Sequence, residues 1–257
     1  MEAVTLLHGF TLAGESWDEL VQKMPDGWRW ITPDLRGHGL ARLAPCSMDD
    51  CAADLVALWD HLGVESSHVV GYSMGGRLAL HVAVRLPERT RSLLTIGAHA
   101  GLEGDSREER RRSDEALAQR IERDGVESFV RYWESLPMFA GIASRGPAFS
   151  ARLHELRLRN QAAGLAASLR DMGAGAMPPL WAELGAIQCS CTFVAGERDA
   201  TFVEFGRRLA RGVAGGRLEI VPDSGHAAQF EQPDATARIL ADHLLRASTS
   251  ASSSTTA

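Results

Sequence analysis

Short apolar runs alternate with longer segments of helical periodicity along most of this chain. Four of these runs precede residue 99, and two more follow residue 186. A strand that is buried on both faces is apolar throughout, whereas a helix that covers a sheet is apolar along one side. The alternation predicts an α/β fold, with an open, doubly wound, mostly parallel sheet covered by helices on both faces. The predicted strands lie in AVTLLHG (3–9), in the first part of WRWITPDLRGHG (28–39) before its glycine-rich loop, and in SHVVGYS (67–73), RSLLTIGA (91–98), CTFVAGERD (191–199) and RLEIVP (217–222).

One helix has both of its ends marked in the sequence. In SMDDCAADLVALWDHLG (47–63), Ser47 caps the first turn, Asp50 follows three residues later, and Gly63 ends the helix. The other helices of the core are predicted in GESWDELVQKM (14–24), MGGRLALHVAVRLP (74–87), residues 201–212 and DATARILADHLLR (234–246).

The alternation is interrupted once, over residues 99–186. This segment is charged, rich in arginine and helix-like, and it contains no convincing strand. We therefore expect a core of residues 1–98 and 187–246, with 99–186 as a helical lid over the carboxyl ends of the strands, where such sheets bind ligands. Residues 247–257 are small and polar without apolar anchors, and we expect a disordered tail.

Composition excludes several classes of protein. The chain has 257 residues, 45% of them hydrophobic, which is enough for one large core. Its net charge of −6 argues against a general binder of nucleic acid or of a membrane surface. The start of the chain shows no signal peptide and no run is long enough to span a membrane, so we expect a cytoplasmic protein. The four cysteines match no zinc spacing, and no metal site is predicted.

Positive charge is concentrated in the lid. Residues 107–170 contain 12 arginines and 9 acidic residues, a net charge of +3, so the rest of the chain carries −9. Most arginines on charged helices face solvent. The sequence nevertheless places a basic segment above the expected ligand site of an acidic protein.

The candidate chemistry begins at GYSMG (71–75), between a predicted strand and a predicted helix. This context identifies G-x-S-x-G as a nucleophile elbow with Ser73 at its tip. A serine hydroxyl needs a histidine to accept its proton and an acid to orient that histidine. The chain order of this fold assigns Asp199, in GERD, and His226, in DSGHAAQFEQP. The backbone N–H groups of Phe10 and Met74 are the predicted oxyanion hole.

Other acids and histidines compete for these roles. Asp223 is an alternative acid, although it lies only three residues from His226. His8 and His38 precede the serine in glycine-flanked loops and are expected to shape the floor of the pocket. His99 opens the lid segment and is a candidate ligand contact.

Taken in order, HGF, LRGHG, GYSMGG, GERD and SGH resemble the α/β-hydrolase superfamily over nearly the whole chain. Within it, GYSMGGRLAL, REERRRSD (107–114), YWESLPMFA (132–140) and 156–181 resemble the 2-succinyl-6-hydroxy-2,4-cyclohexadiene-1-carboxylate synthases, and SLRDMGAGAMPPLW (168–181) is the most specific element. The resemblance implies a lyase of menaquinone biosynthesis. It would remove pyruvate from an enolpyruvyl cyclohexene precursor, using the triad as base and no metal or cofactor.

The resemblance also implies a set of substrate-binding residues, namely Tyr72, Arg77, Arg110, Trp133 and Arg157. Arg110, Arg111 and Arg112 are consecutive, and a shift of one residue changes that assignment. The loop LRGHG (35–39) reads LPGHG in many of these synthases, and the arginine form is commoner among plain hydrolases.

The implied precursor carries three carboxylates, which an arginine-rich lid suits better than it suits a neutral ester. We therefore expect a small tricarboxylate substrate. The protein itself is expected to be a monomer or a small homo-oligomer. Two alternatives stay open: a carboxylesterase or carbon–carbon bond hydrolase with the same triad, and a non-catalytic receptor for a small ligand.

Overall fold

The computed structural model of this chain describes residues 1–42 and 47–253. Its centre is a six-stranded parallel sheet with the strand order β2-β1-β3-β4-β5-β6. The predicted α/β architecture is confirmed. The strands are β1 (Glu2–Leu7), β2 (Trp28–Ile31), β3 (Ser67–Tyr72), β4 (Thr90–Ile96), β5 (Ser190–Gly196) and β6 (Arg217–Val221).

Helices connect the strands and form the lid. The α-helices are α1 (Asp18–Gln22), α2 (Met48–His61), α3 (Met74–Arg85), α4 (Gly104–Glu134), α5 (Pro147–Leu158), α6 (Ala162–Met172), α7 (Ala200–Gly212), α8 (Ala228–Glu231) and α9 (Pro233–Ser253). Short 3-10 helices cover Gly14–Trp17, Pro87–Arg89, Pro137–Arg145 and Trp181–Ala186. Of the helices in the described ranges, none combines the length and apolarity that a bilayer crossing requires.

The sheet is apolar on both faces, as continuous apolar strands predict. Adjacent strand residues point to opposite sides, so Leu7 and Val69 lie in one buried cluster, and Leu6 and Val70 lie in another. Helices α2 and α3 cover the first face, and α1 and α9 cover the second. This two-sided burial fixes the sheet as a rigid platform for the loops at its ends.

The predicted cap of α2 is present. Ser47 Oγ accepts the N–H of Asp50 at 3.2 Å, and Asp50 Oδ2 accepts the N–H of Ser47 at 3.1 Å. This reciprocal pair is a capping box, which satisfies two backbone donors at the start of the helix. Cys46, just before it, lies outside the described residues.

The expected tail differs from the structure. Helix α9 continues through residues 247–253, which were expected to be disordered. Ala247 is buried, and the Ser248 hydroxyl lies within hydrogen-bond distance of two acceptors, Glu2 Oε2 and the Leu244 carbonyl. Leu240 and Leu244 anchor the preceding turns in the core. Extending a helix that has already formed costs little free energy, even when the added residues are small and polar. Residues 254–257 lie outside the described residues.

The lid segment follows β4 and precedes β5. Its α4 bends at Gly125, where φ is 79°. Helices α4 and α6 share a small apolar cluster that includes Ile121, Phe129 and Leu165. Phe10, from the loop after β1, packs against this cluster and joins the lid to the core.

Candidate active site

The elbow serine lies at the carboxyl end of β3, and its backbone is strained. Ser73 has φ 52° and ψ −107°, a conformation that L-residues rarely adopt. A Cβ on Gly75 would lie 2.2 Å from the carbonyl oxygen of Leu7, so only glycine fits there. The turn thus depends on its neighbouring glycines, as the motif predicts.

Three strand ends bring the predicted relay together. His226 Nε2 lies 3.0 Å from Ser73 Oγ, and His226 Nδ1 lies 2.9 Å from Asp199 Oδ2. A carboxylate beside Nδ1 holds the proton there, which leaves Nε2 to accept the serine proton. The N–H of Phe202 donates to Asp199 Oδ1 at 3.3 Å and fixes the carboxylate at the start of α7.

The alternative acid lies elsewhere. The Asp223 carboxylate pairs with Arg198 at 2.6 Å, and its side chain is 72% exposed. His226 is thus oriented by Asp199, and Asp223 lies on the surface beside the loop.

A second acid supports the histidine loop from behind, and sequence reasoning missed it. Buried Glu231 accepts the N–H of Gly225 at 2.8 Å and the N–H of Ala227 at 3.3 Å. These two amides flank His226. The only sequence signal was an acid five residues after the histidine, in SGHAAQFEQ.

The start of α3 faces the serine. The N–H of Ser73 itself donates to the Ile96 carbonyl at 2.9 Å. Met74 is the first residue of α3, and the first N–H groups of a helix have no intrahelical acceptor. Phe10 and Met74 line the same cavity as Ser73, and the oxyanion hole stays a prediction.

A cavity of about 310 Å³ lies between the sheet and the lid. Of the ten site residues predicted from the sequence, nine line it, and Asp199 reaches it only through His226. The predicted residues that line the cavity are Phe10, Tyr72, Ser73, Met74, Arg77, Arg110, Trp133, Arg157 and His226.

Arg77 is buried one turn beyond Ser73. Its Nη1 donates to the Met172 carbonyl at 2.8 Å, and within the described ranges it has no carboxylate within 4.0 Å. Burial and, next, the positive charge of Arg110 lower the pKa of Arg77 to about 10. The guanidinium therefore keeps its charge at neutral pH while lacking an anionic partner.

The structure also separates the three consecutive arginines. Arg110 lines the cavity, whereas Arg111 and Arg112 border a separate open groove with Glu108, Glu115 and Arg170. Arg110 Nε donates to Asp114 Oδ1 at 2.7 Å. Of the three, only Arg110 is thus placed at the cavity, and its role in substrate binding stays a prediction.

The segment 168–181 explains why Arg110 reaches the cavity. A Cβ on Gly175 would lie 2.4 Å from the backbone nitrogen of Arg111, so glycine permits α4 to approach this loop closely. Asp114, which holds Arg110, accepts the N–H of Gly175 at 3.3 Å. The Met172 carbonyl of the same segment holds Arg77. One segment therefore positions two cations of the cavity.

Arg157 enters from α5. Its Nη1 donates to Glu134 Oε1 at 2.7 Å, and its Nε is buried without a hydrogen-bond partner among the described residues. Its guanidinium lies 5.9 Å from the ring centre of Phe139. Arg157 therefore has unused donor capacity at the cavity wall.

Most other lid arginines stay outside the cavity. They pair with surface acids and neutralise much of the basic segment that the sequence showed. Such exposed pairs contribute little stability. The arginines that form such pairs are Arg120, Arg123, Arg131, Arg145, Arg152, Arg159 and Arg170.

The remaining histidines divide between core and cavity. His8 is buried, and burial lowers its pKa to about 4. Its Nδ1 lies 2.9 Å from the Gly9 carbonyl, and its Nε2 accepts the N–H of Leu35 at 2.9 Å. His38 packs 5.6 Å from the Phe10 ring. Both support the loop that carries Phe10, and neither lines the cavity, whereas His99 does.

Aromatic rings close the site, and sequence reasoning identified few of them. The ring of Phe202 lies 4.5 Å from that of His226, and the ring of Tyr72 lies 5.5 Å from it. Phe139 and Phe230 line the same wall. Their apolar surfaces limit the water around the relay, which strengthens its electrostatic interactions.

Known proteins share this architecture. A model of the α/β hydrolase fold family matches residues 2–233. A putative 2-succinyl-6-hydroxy-2,4-cyclohexadiene-1-carboxylate synthase of Bacillus subtilis (strain 168) is 37% identical over 249 residues, covering 95% of this chain and 90% of that protein.

Solved structures agree in fold. MenH from S. aureus superposes with a TM-score of 0.90 at 28% identity, covering 96% of this chain and 94% of that one. A thermophilic esterase from Thermogutta terrifontis, with malate bound, gives a TM-score of 0.86 at 26% identity, covering 96% and 90%. Enzymes of different reactions thus share this architecture.

Proposed function

Since this chain belongs to the α/β-hydrolase family, we propose that it uses a hydrolase-type serine site for an elimination. The substrate is 2-succinyl-5-enolpyruvyl-6-hydroxy-3-cyclohexene-1-carboxylate. The products are pyruvate and 2-succinyl-6-hydroxy-2,4-cyclohexadiene-1-carboxylate, as in menaquinone biosynthesis. The similarity to the Bacillus synthase over nearly the whole of both chains supports this assignment.

One observation carries the proposal. The relay of Ser73, His226 and Asp199 opens into a cavity that also contains the guanidinium groups of Arg77, Arg110 and Arg157. Of these, Arg110 pairs with Asp114 and Arg157 with Glu134. A ligand with several carboxylates would meet the unpaired Arg77 and the unused donors of the other two. Each charge-assisted contact of this kind contributes about 1.5–3 kcal/mol when shielded from water.

The reaction needs a base, not a nucleophile. His226 accepts the proton of Ser73, and the serine oxygen removes the ring proton next to the succinyl ketone. The electrons of that C–H bond form a ring double bond, the existing double bond shifts, and the C–O bond to the enolpyruvyl group breaks. The departing enolpyruvate takes up a proton at carbon and becomes pyruvate.

Negative charge develops on the ketone oxygen during this step. The N–H groups of Phe10 and Met74 are the proposed donors to that oxygen, and the dipole of α3 favours the charge further. Tyr72 and Trp133 line the cavity beside them as apolar and aromatic contacts for the ring. Burial raises the pKa of Tyr72, so its hydroxyl stays protonated and can donate a hydrogen bond to the substrate.

The test is direct detection of pyruvate. The purified protein is mixed with the authentic precursor, and pyruvate is measured by coupled reduction with lactate dehydrogenase. We expect release that depends on Ser73, with p-nitrophenyl acetate as the parallel ester substrate. Fast ester turnover without pyruvate release would reject the lyase assignment.

A carboxylesterase is the second candidate. The same relay serves acyl transfer, and the esterase from Thermogutta terrifontis has the same fold. The arginine of the LRGHG loop suggested this alternative from the sequence. That residue, Arg36, pairs with Asp54 and does not line the cavity, so it gives no support to an esterase. For a non-catalytic receptor, a Ser73→Ala variant would keep its full biological effect.

A further inference from the structure

His99 is a titratable residue that lines the cavity and to which the mechanism above assigns no part. It lies just after β4, where the chain leaves the core for the lid, and it is 5% exposed. Its ring packs against those of Phe202 and Phe205, at centroid distances of 6.1 and 5.0 Å. His99 therefore has a fixed position in the cavity wall.

Its tautomer follows from one hydrogen bond. The N–H of Gly101 donates to His99 Nδ1 at 2.9 Å, so Nδ1 is an acceptor and carries no proton. The proton of the neutral ring must then lie on Nε2. Within the described ranges, this Nε2–H has no acceptor. It is the one hydrogen-bonding group that His99 can offer to a ligand.

Other buried histidines behave differently. Those that support the core use both ring nitrogens within the chain, namely His8, His68 and His243. Two more, His38 and His81, leave one nitrogen without a partner, but neither lines the cavity. A cavity-lining histidine with an unused N–H is thus a distinct case among the described residues.

Its surroundings are cationic. Arg77 and Arg110 line the same cavity, and their charges act on the imidazole. Burial first, and then these two guanidinium groups, lower the pKa of His99 to about 3. The ring stays neutral at physiological pH, so it supplies a directional donor without adding a third positive charge. An anion placed there would also relieve the repulsion between the two arginines.

We propose that His99 is a substrate-binding residue, whose Nε2–H donates to a carboxylate that Arg77 and Arg110 also hold. This inference rests on the proposed function, since it assigns part of the same substrate to a subsite. The two cations provide attraction, and the imidazole fixes the direction in which the carboxylate binds.

Two variants separate the N–H from the ring. His99→Phe keeps an aromatic ring against Phe202 and Phe205 but removes the donor, whereas His99→Gln keeps an N–H donor. We expect His99→Phe to raise KM for the precursor by about 10- to 100-fold with kcat within about threefold, because the bond forms equally in ground and transition states. His99→Gln should recover most of the loss. His61→Phe, an exposed histidine at the end of α2, is the matched control.

Ligand binding provides a readout that is independent of turnover. The probe is 2-succinylbenzoate, a stable dicarboxylate with the carbon skeleton of the proposed product. Titration calorimetry should show binding to the unaltered protein and at least about tenfold weaker binding to His99→Phe. In protein with ¹⁵N-labelled histidine, the Nε2–H resonance of His99 should move downfield when the probe is added, which needs no variant.

The outcomes distinguish the two proposals. Absence of pyruvate from the authentic precursor would overturn the proposed function, and the calorimetric comparison would still decide the role of His99. Equal affinity of the unaltered protein and His99→Phe, an unmoved Nε2–H resonance, or no binding of the probe at all would each overturn the carboxylate subsite.

Discussion

The core and the lid contribute to the same cavity in different ways. The core holds its reactive groups by backbone geometry: the strained Ser73 turn and the short loops that carry Asp199 and His226. The lid supplies charge through the long side chains of Arg110 and Arg157, each tied to one lid acid. We therefore expect reactivity to depend on the rigid turns and substrate selection to depend on side-chain charge. The two properties should respond separately to mutation.

The largest effect is expected at the elbow. Ser73→Ala removes the proposed base and should lower pyruvate release by at least about 10³-fold, and ester hydrolysis by a similar factor. Rates are measured on both substrates, with circular dichroism to confirm the fold. A variant that keeps a tenth of the activity would show that the serine is not the base.

The Arg77→Ala variant tests whether the charge of Arg77 acts on the charged substrate and not on the relay. Arg77→Ala should lower kcat/KM for the precursor by about 100-fold, since it removes charge-assisted contacts to a carboxylate. Hydrolysis of neutral p-nitrophenyl acetate should change by less than about threefold, because the relay is intact. Equal losses on the two substrates would contradict a carboxylate contact.

A Glu231 variant tests whether the position of His226 in the core controls reactivity. Glu231→Gln keeps the shape but replaces an acceptor of one loop amide with a donor, so His226 should lose its fixed position. We expect kcat to fall by about 10- to 30-fold for both substrates with KM little changed. A loss confined to the precursor would instead indicate a role in substrate binding.

Adjacent arginines provide a matched pair in the lid. Arg110→Gln should raise KM for the precursor by about tenfold. Arg111→Gln, in the separate open groove, should change KM by less than about twofold. Steady-state kinetics on both variants, prepared together, measure the difference. If the two variants behave alike, position on α4 does not decide which arginine acts.

The smallest effect is expected from salt. Raising the NaCl concentration from about 0.05 to about 0.5 M should raise KM for the precursor by about two- to fourfold, because screening weakens attraction to the cationic cavity. KM for the neutral ester should stay constant. A flat profile for the precursor would argue against long-range charge attraction.

Local patterns predicted the parts of this protein that depend on local physics. The strands followed from apolar runs, the α2 cap from Ser47 and Asp50, and the elbow from its glycines. Tail residues 247–253 were misjudged because their composition does not reveal that the preceding turns of α9 are buried. The Glu231 contacts were missed because a single acid at the end of a short helix shows no sign in the sequence of its burial.

By itself, the sequence determined the α/β architecture and the identity of the relay residues, since strand periodicity and a strained glycine-rich turn are properties of neighbouring residues. Only the tertiary structure decided which of the three consecutive arginines lines the cavity. Arg110, Arg111 and Arg112 are chemically identical and adjacent, and helical geometry turns successive side chains by about 100°. The close contact at Gly175 and the ion pair with Asp114 select one of them. Packing between distant segments makes that choice, and no local pattern encodes it.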